Sequence, residues 1–341
     1  MSVLTRRHLL SLAAVPASIA LVPVAWAAPE PITTEGFVPI GGIEQWIAIR
    51  GRDRGRPAML FLHGGAGEAQ SPFLSLFAPW EQRYVVAQWD QRGSGKTFGK
   101  IGVSTPGMTL EQLTRDAVEV AQYVLNQLGI RKLILIGHSW GSMLGLCVVR
   151  SRPDLFHAFV GTGQVVSGRE LVESWRSSAL ARARAAQDAD AVAQLNDSCA
   201  DDKSNTIKLE LITKWMAQFT GSDADHITQQ SSFVGTYKKP ANAEAADWYK
   251  GFFEFSQPKL WPFLRDFDAR AAGYDFPVPY FVIQGRTDNR TPPEAARAFV
   301  AQVHAAVKGY TAIDGGHFAF LTNPIGFLNA LDSDIRRLRI P

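Results

Sequence analysis

Short apolar runs alternate with amphipathic stretches in both end portions of the chain. Residues 59–62, 133–136 and 278–283 are almost entirely apolar, as expected of parallel strands buried on both faces. A helix is predicted from Thr109, with Gln112 completing a capping box, to the residue before Gly129. The alternation predicts an α/β protein whose mostly parallel sheet is flanked by helices.

The remaining elements follow the same logic. Two short runs on either side of Gly41 and Gly42 predict a β-hairpin. Thr291-Pro-Pro-Glu294 combines a capping box with proline at the first helical position, which predicts a helix start. Further strands are predicted at 84–89, 157–161 and 309–313, and further helices at 142–150 and 325–337.

The pattern changes in the middle of the chain. From 167 to 272 the strand patterns disappear, and Ala-rich, charged stretches that favour helix take their place. The sequence therefore predicts a helical cap inserted in the C-terminal half, between core segments 28–166 and 273–341.

The N-terminus has the features of an export signal. Arg6 and Arg7 precede an apolar run over 9–24, and Ala25-Trp26-Ala27 offers small residues for cleavage. Paired arginines before a mild apolar run predict a twin-arginine signal over 1–27, with a plain Sec signal as the alternative. We therefore expect a periplasmic or secreted protein that has no stable membrane anchor in its mature form.

Composition and net charge limit the classes of binding partner that are expected. The chain has 341 residues, of which 46% are hydrophobic and 20% charged, and its formal net charge is +3. Two of the positive charges lie in the predicted signal, so neither a nucleic-acid partner nor a membrane-surface footprint is expected. The two cysteines, Cys147 and Cys199, are too few for a disulfide framework. Cys147 could be a buried thiol, or the two cysteines could form a bridge after export to an oxidising compartment.

A candidate nucleophile lies directly after a predicted strand. Gly137-His-Ser-Trp-Gly141 fits the pattern G-x-S-x-G, follows the strand at 133–136 and opens a helix. This is the setting of a nucleophile elbow, in which a tight turn exposes the serine hydroxyl at a helix N-terminus. Ser139 is therefore the predicted nucleophile.

The partners that a serine nucleophile needs also follow predicted strands. Asp288 comes after the strand at 278–283, and His317 lies in Asp314-Gly-Gly-His-Phe318 after the last strand. The chain order Ser, Asp, His is that of α/β-hydrolases. His317 is the predicted general base and Asp288 the acid that fixes its tautomer.

A glycine-rich loop predicts the oxyanion hole. His63-Gly-Gly-Ala-Gly67 follows the strand at 59–62, and glycine lets backbone approach a substrate closely. The backbone N–H groups of Gly65 and Trp140 are the predicted donors. Asp90 and Arg92 are expected to hold their own loop beside this glycine turn through a charge-assisted bond.

Four of these motifs together resemble the proline iminopeptidase (prolyl aminopeptidase) family of α/β-hydrolases. They are the glycine loop at 63–67, Asp90-Gln-Arg-Gly-Ser-Gly-Lys-Thr97, the serine motif at 137–142 and Gly315-Gly-His317. The resemblance implies the α/β-hydrolase fold with a helical cap. It also implies cap acids that bind the substrate's free amino group, for which Glu170 and Glu173 are the nearest candidates. The family usually has Pro where this chain has Ala66.

Three functions are compatible with these residues. The first is a serine hydrolase working through an acyl-enzyme, an aminopeptidase or amidase similar to proline iminopeptidases, with a small molecule or short peptide as substrate. The second is a carboxylesterase for small or aromatic esters. The third is a binding protein of the same fold without catalysis. No metal-ligand cluster, P-loop or dinucleotide fingerprint is visible in the sequence, so no cofactor is expected.

Overall fold

The structure is a computed structural model that describes residues 30–196, 232 and 242–338. The predicted signal peptide at 1–27, Cys199 and the middle of the predicted cap lie outside the described residues. The cap boundaries at 167 and 272 therefore stay predictions.

One eight-stranded sheet forms the centre of the described chain. The strands are β1 Ile32–Ile40, β2 Ile43–Gly51, β3 Ala58–Leu62, β4 Val85–Trp89, β5 Leu133–His138, β6 Phe156–Thr162, β7 Tyr280–Gly285 and β8 Lys308–Ile313. Their spatial order is β1-β2-β4-β3-β5-β6-β7-β8. β1 and β2 are antiparallel to their neighbours, and the other six strands are parallel to one another. The predicted hairpin and mostly parallel sheet are both confirmed.

Helices cover both faces of this sheet. They are α1 Ala78–Glu81, α2 Gly95–Ile101, α3 Leu110–Leu128, α4 Trp140–Ser151, α5 Gly168–Ala185, α6 Ala189–Asn196, α7 Ala243–Tyr249, α8 Gln257–Asp266, α9 Pro293–Gln302, α10 Ala319–Thr322 and α11 Pro324–Arg336. Short 3₁₀ segments occupy Ser71–Phe77, Gly102–Ser104, Pro153–Leu155 and Ala269–Ala272, and a π-helical turn occupies Lys250–Ser256. No helix of the described residues is long and apolar enough to cross a bilayer.

The uninterrupted apolar runs are explained by burial on two sides. In β3, Met59 and Phe61 pack into the layer that contains α11, whereas Leu60 and Leu62 pack into the opposite layer with α3 and α4. All four side chains are at most 1% exposed. Because side chains alternate between the faces of a strand, two apolar faces leave no polar position in the sequence.

The caps of α3 follow the predicted signals, with one difference. The Thr109 hydroxyl accepts the N–H of Gln112, and Gly129 ends the helix with a φ of 69°. The Gln112 side chain donates to Asp116 one turn further on, at 2.7 Å. The predicted capping box is therefore only half formed, because the Gln112 side chain supports a buried acid of α3 while the Thr109 N–H donates to the Gly107 carbonyl.

Between β6 and β7 the described chain contains helices and no strand. The helices α7 and α8 are joined by the π-helical turn, so residues 243–266 form one continuous helical segment. A π-helical turn inside a helix commonly marks a functional site. Cys147 lies partly buried in α4 and forms no disulfide with any described residue, and burial raises the pKa of its thiol.

Candidate active site

Ser139 occupies a strained turn between β5 and α4. Its backbone has φ 54° and ψ −119°, a conformation that non-glycine residues seldom adopt. The glycines on either side of this turn are required because a Cβ atom would not fit at their positions. A Cβ at Gly137 would lie 2.3 Å from the Gly141 carbonyl oxygen, and one at Gly141 would lie 2.1 Å from that of Leu62. The G-x-S-x-G pattern therefore lets the helix pack against the strand ends immediately after the serine.

The predicted base and acid are in direct contact. His317 Nδ1 lies 3.0 Å from Asp288 Oδ2 and 3.1 Å from Oδ1. Both side chains are nearly inaccessible, with 3% and 0% of their surfaces exposed. A hydrogen bond from Nδ1–H to Asp288 places the lone pair of neutral His317 on Nε2, the atom that a general base uses here.

Two residues that sequence patterns did not assign to the site, Gln284 and Thr291, complete the surroundings of Asp288. Gln284 Nε2 and the Thr291 hydroxyl donate to Oδ2 at 2.8 and 2.7 Å, and the backbone N–H groups of Arg290 and Thr291 donate to Oδ1. Burial by itself disfavours the carboxylate, but the contacts with His317 and Thr291 outweigh it and lower the pKa of Asp288. Asp288 is therefore held as an anion.

Thr291 belongs to this cluster and not to a helix cap. Its hydroxyl also lies 3.3 Å from His317 Nδ1, and α9 begins two residues later, with Pro292 as the capping residue. The predicted helix start is confirmed to within two residues, with Pro293 at the first helical position, but the predicted capping box at Thr291 was wrong. Asp288 is a charged acceptor three residues away, and it engages the hydroxyl and the N–H of Thr291 in place of the helix start.

The loop that carries His317 packs against the serine elbow. The Ser139 N–H donates to the Thr162 carbonyl at 3.0 Å, and the next residue, Gly163, lies directly against the His317 ring. His138 Nε2 donates to the His317 carbonyl at 3.0 Å, and the two rings are 4.6 Å apart between centroids. The fold thus brings the neighbours of Ser139 into contact with His317 from two sides.

The glycine loop reaches the same place from β3. A Cβ at Gly64 would lie 3.2 Å from Ser139 Cβ, so the loop backbone adjoins the serine. Gly65 has a φ of 112°, and a Cβ there would lie 2.5 Å from the Gly67 nitrogen. Trp140 is the first residue of α4, where a backbone N–H has no partner inside the helix. Trp140 thus directly follows Ser139, and Gly65 follows the glycine that adjoins it.

The loop after β4 is held differently from the prediction. Arg92 pairs with Asp116 of α3, at 2.8 Å between Nε and Oδ2, and both side chains are almost completely buried. Asp90 Oδ2 accepts from the Ser71 hydroxyl at 2.6 Å and from the Lys96 N–H at 2.8 Å. The direct contact with the glycine loop comes from Gln91, whose Nε2 donates to the His63 carbonyl. Asp90 and Arg92 are structural, but Gln91 links the two loops.

The continuous helical segment at 243–266 covers the glycine loop. Trp248 Nε1 donates to the Ala69 carbonyl at 2.8 Å, and Ser256 Oγ donates to the Gly93 carbonyl at 2.7 Å. The edge of the Phe252 ring would touch a Cβ at Gly65 at 3.2 Å. Phe252 is therefore an aromatic wall next to one predicted oxyanion donor.

The structure does not bring the two cap glutamates into this cluster. Glu170 pairs with Arg270 at 2.7 Å, and Glu173 pairs with Arg176 at 2.7 Å. Their side chains are 52% and 44% exposed. Their role in binding an ammonium group stays a prediction, and these ion pairs give it no support.

Comparison with known proteins agrees with this architecture. The profile of the alpha/beta hydrolase fold family matches residues 57–324, which span most of the chain. The chain therefore belongs to the α/β-hydrolase fold family.

Peptidases are prominent among the relatives that the chain resembles. It is 29% identical to the "probable aminopeptidase YbaC" of Bacillus subtilis (strain 168), over 302 residues that cover 87% of this chain and 94% of the relative. It is also 33% identical to a proline iminopeptidase of Lactobacillus crispatus, over 115 residues that cover 33% of this chain and 37% of that one. The family and these relatives support a hydrolase.

Solved structures show the same fold at low sequence identity. The proline iminopeptidase of Mycobacterium smegmatis aligns with a TM-score of 0.56 and 20% identity, covering 89% of this chain and 98% of its own. An epoxide hydrolase of Vigna radiata aligns with a TM-score of 0.54 and 18% identity, covering 89% and 98%. The fold is therefore shared by different chemistries, and the reaction must be argued from the site.

Proposed function

We propose that this protein is a serine hydrolase that works through an acyl-enzyme. Ser139 is the nucleophile, His317 the general base and later general acid, and Asp288 the carboxylate that orients and stabilises the imidazolium. The buried contact between His317 Nδ1 and Asp288, on a loop packed against the Ser139 elbow, is the observation that carries the proposal.

The reaction follows from this geometry. His317 takes the Ser139 proton as the hydroxyl oxygen attacks the substrate carbonyl, and Gly65 and Trp140 N–H groups stabilise the oxyanion that forms. His317 then gives the proton to the leaving amine or alcohol, which departs as the acyl-enzyme forms. Water, deprotonated by the same histidine, releases the acid and restores Ser139.

The test is covalent labelling with a fluorophosphonate, followed by peptide mapping. We expect one modified residue, Ser139, and hydrolysis in the Ser139→Ala variant at least about a thousandfold below that of the wild type. The variant should melt at about the same temperature as the wild type, because alanine keeps the Cβ and the backbone conformation of Ser139 and removes only the hydroxyl. Labelling elsewhere, or retained turnover in the variant, would show that Ser139 is not the nucleophile.

For the substrate we propose a short peptide or amino-acid amide with a free amino terminus, as for a proline-iminopeptidase-like aminopeptidase. The support is the aminopeptidase relative, whose match covers 87% of this chain. A buried ammonium group needs a carboxylate partner. Glu170→Gln and Glu173→Gln should lower kcat/KM for prolyl arylamides, but not for N-acylated amides, if either glutamate supplies that partner.

A carboxylesterase for small or aromatic esters is the second candidate. One observation favours it, namely that both of these glutamates are engaged by arginines at the surface. A panel of prolyl and other aminoacyl arylamides, short-chain esters and aromatic esters separates the two candidates. Because esters are intrinsically more reactive than amides, substrates with a free amino group are compared with blocked ones that carry the same leaving group. Equal or higher kcat/KM on the blocked substrates would replace the aminopeptidase assignment by the esterase.

A further inference from the structure

A single buried side chain connects the two segments that carry the proposed oxyanion donors. Gln91 is 1% exposed and lies two residues after β4. Its Nε2 donates to the His63 carbonyl at 3.1 Å, and its Oε1 accepts from the Trp140 indole Nε1 at 3.1 Å. One amide thus joins the start of the glycine loop to the first residue of α4.

The backbone of Gln91 strengthens the same link. Its N–H donates to His63 Nε2 at 3.1 Å, and His63 Nδ1 donates to the Gly64 carbonyl at 2.9 Å. These contacts fit only the neutral ring with its proton on Nδ1. Burial, partly opposed by the Gly64 contact, lowers the pKa of His63 to about 4, so the ring is neutral at neutral pH. Gln91 therefore fixes His63, and the His63 ring in turn holds the carbonyl of Gly64, the residue directly before Gly65.

We propose that Gln91 is a positioning residue that sets the separation of the Gly65 and Trp140 N–H groups. The proposal rests on the function proposed above, because it concerns the oxyanion of that reaction. An amide suits the position because one partner is a carbonyl and the other an N–H group, so the side chain must donate and accept at once. A carboxylate could accept from Trp140 but could not donate to His63.

The expected effect is large because oxyanion donors act through preorganisation. Losing one donor typically costs about 100- to 1,000-fold in kcat, and a displacement of about 1 Å can cost about 100-fold. Loosening the link should weaken binding of the tetrahedral intermediate and leave the bound substrate nearly unaffected. Replacing a residue with only a structural role would change the melting temperature without changing how much more tightly the tetrahedral intermediate is bound than the substrate.

The chain contains a matched control for a structural role. Gln45 is also completely buried, its Oε1 accepts from the Trp89 indole Nε1 at 2.8 Å, and its Nε2 donates to the Ile40 carbonyl at 3.2 Å. It makes the same kind of bridge between β1 and β4. It also donates to Asp116 at 2.7 Å, and Asp116 keeps its hydrogen bonds from Arg92 and Gln112 when Gln45 is replaced, so the loop after β4 stays attached. Gln45→Met and Gln91→Met therefore remove similar interactions in different places.

The experiment compares both variants of the full chain on p-nitrophenyl acetate, with a trifluoromethyl ketone as the probe of the tetrahedral state. For Gln91→Met we expect kcat to fall about 10- to 100-fold at nearly constant KM, with trifluoromethyl ketone inhibition weakened by a similar factor. Gln45→Met should lower the melting temperature at least as much, yet keep kcat and inhibition within about twofold.

A second variant breaks the same link at its other end, in case Gln91→Met does not fold. Trp140→Phe keeps the backbone N–H but removes the indole donor to Gln91, so it should reproduce the kcat loss. Equal kcat losses in the Gln45 and Gln91 variants, or unchanged inhibition when both ends of the link are broken, would overturn the positioning role. Fluorophosphonate labelling of Ser139 in the wild type is read separately, so failure of the serine mechanism is distinguishable from failure of this inference.

Discussion

At the scale of single residues, the site depends on polar side chains that have their full set of partners. Asp288 receives hydrogen bonds from Gln284, Thr291, two backbone N–H groups and His317, all in a buried pocket. A carboxylate with this many donors stays ionised and keeps one orientation. The acid of the proposed triad is thus positioned by a small network around it.

Thr291 offers a direct test of this network. Thr291→Val removes the hydroxyl that donates to Asp288 at 2.7 Å and keeps the shape of the side chain. A hydrogen bond to a charged group is worth about 1.5–3 kcal/mol, so kcat/KM should fall about 10- to 100-fold. Thr291→Ser keeps the hydroxyl and should lose less than about fivefold. Equal losses in both variants would mean that packing, and not the hydrogen bond, explains the effect.

At the scale of elements, parallel strands deliver each part of the site from a separate segment. The glycine loop follows β3, Ser139 follows β5, Asp288 follows β7 and His317 follows β8. Ligands bind at the carboxyl ends of such strands. The loop after β4 lies among these segments, held by the buried pair of Arg92 with Asp116 and by Gln91.

Local patterns predicted the elements well because each pattern has a local cause. The hairpin at Gly41 and Gly42, the two-sided apolar strands and the end of α3 at Gly129 all follow from backbone geometry or periodicity. Thr291 and Gln91 could not be assigned in the same way. Their partners are chosen by tertiary proximity, which the spacing of residues along the chain does not encode.

Asp90 provides a pH-dependent test of how α2 is attached to the core. Burial, partly offset by hydrogen bonds from Ser71 and Lys96, raises the pKa of Asp90 to about 7. The folded protein therefore favours the uncharged acid, while the unfolded chain ionises near pH 4. Its contribution to stability is fully present below about pH 4 and is lost as pH rises towards 7.

We expect Asp90→Asn to gain stability relative to the wild type as pH rises. Between pH 5 and pH 8 the difference in free energy of unfolding should move by about 2–3 kcal/mol in favour of the variant. Urea unfolding at both pH values measures it. Asp314→Asn is the control, because that side chain is 90% exposed and its partner Arg286 stays charged at both pH values, so no comparable change is expected. A difference that stays constant with pH would contradict burial of an uncharged Asp90.

At the scale of the whole molecule, the proposed site lies where the sheet, the glycine loop and the helical segment at 243–266 meet. Trp248 and Ser256 of that segment bond to Ala69 and Gly93 of the core loops. The segment is therefore attached to the residues that follow the glycine loop and to the loop after β4. Phe252 of the same segment packs on Gly65, one of the two proposed oxyanion donors.

The last prediction concerns the export of the protein and the cleavage of its signal peptide. Arg6 and Arg7 precede an apolar run and Ala25-Trp26-Ala27, so we propose export by the twin-arginine route with cleavage after Ala27. That route carries folded proteins, and the proposed active site would then be assembled before export. Intact-mass analysis of the periplasmic protein should give a chain that starts at Ala28.

Replacing both arginines by lysine should retain an uncleaved precursor in the cytoplasm, since the paired arginines are what that route recognises. Normal export of this variant would favour the Sec route, and an active cellular pool that keeps residues 1–27 would contradict export altogether.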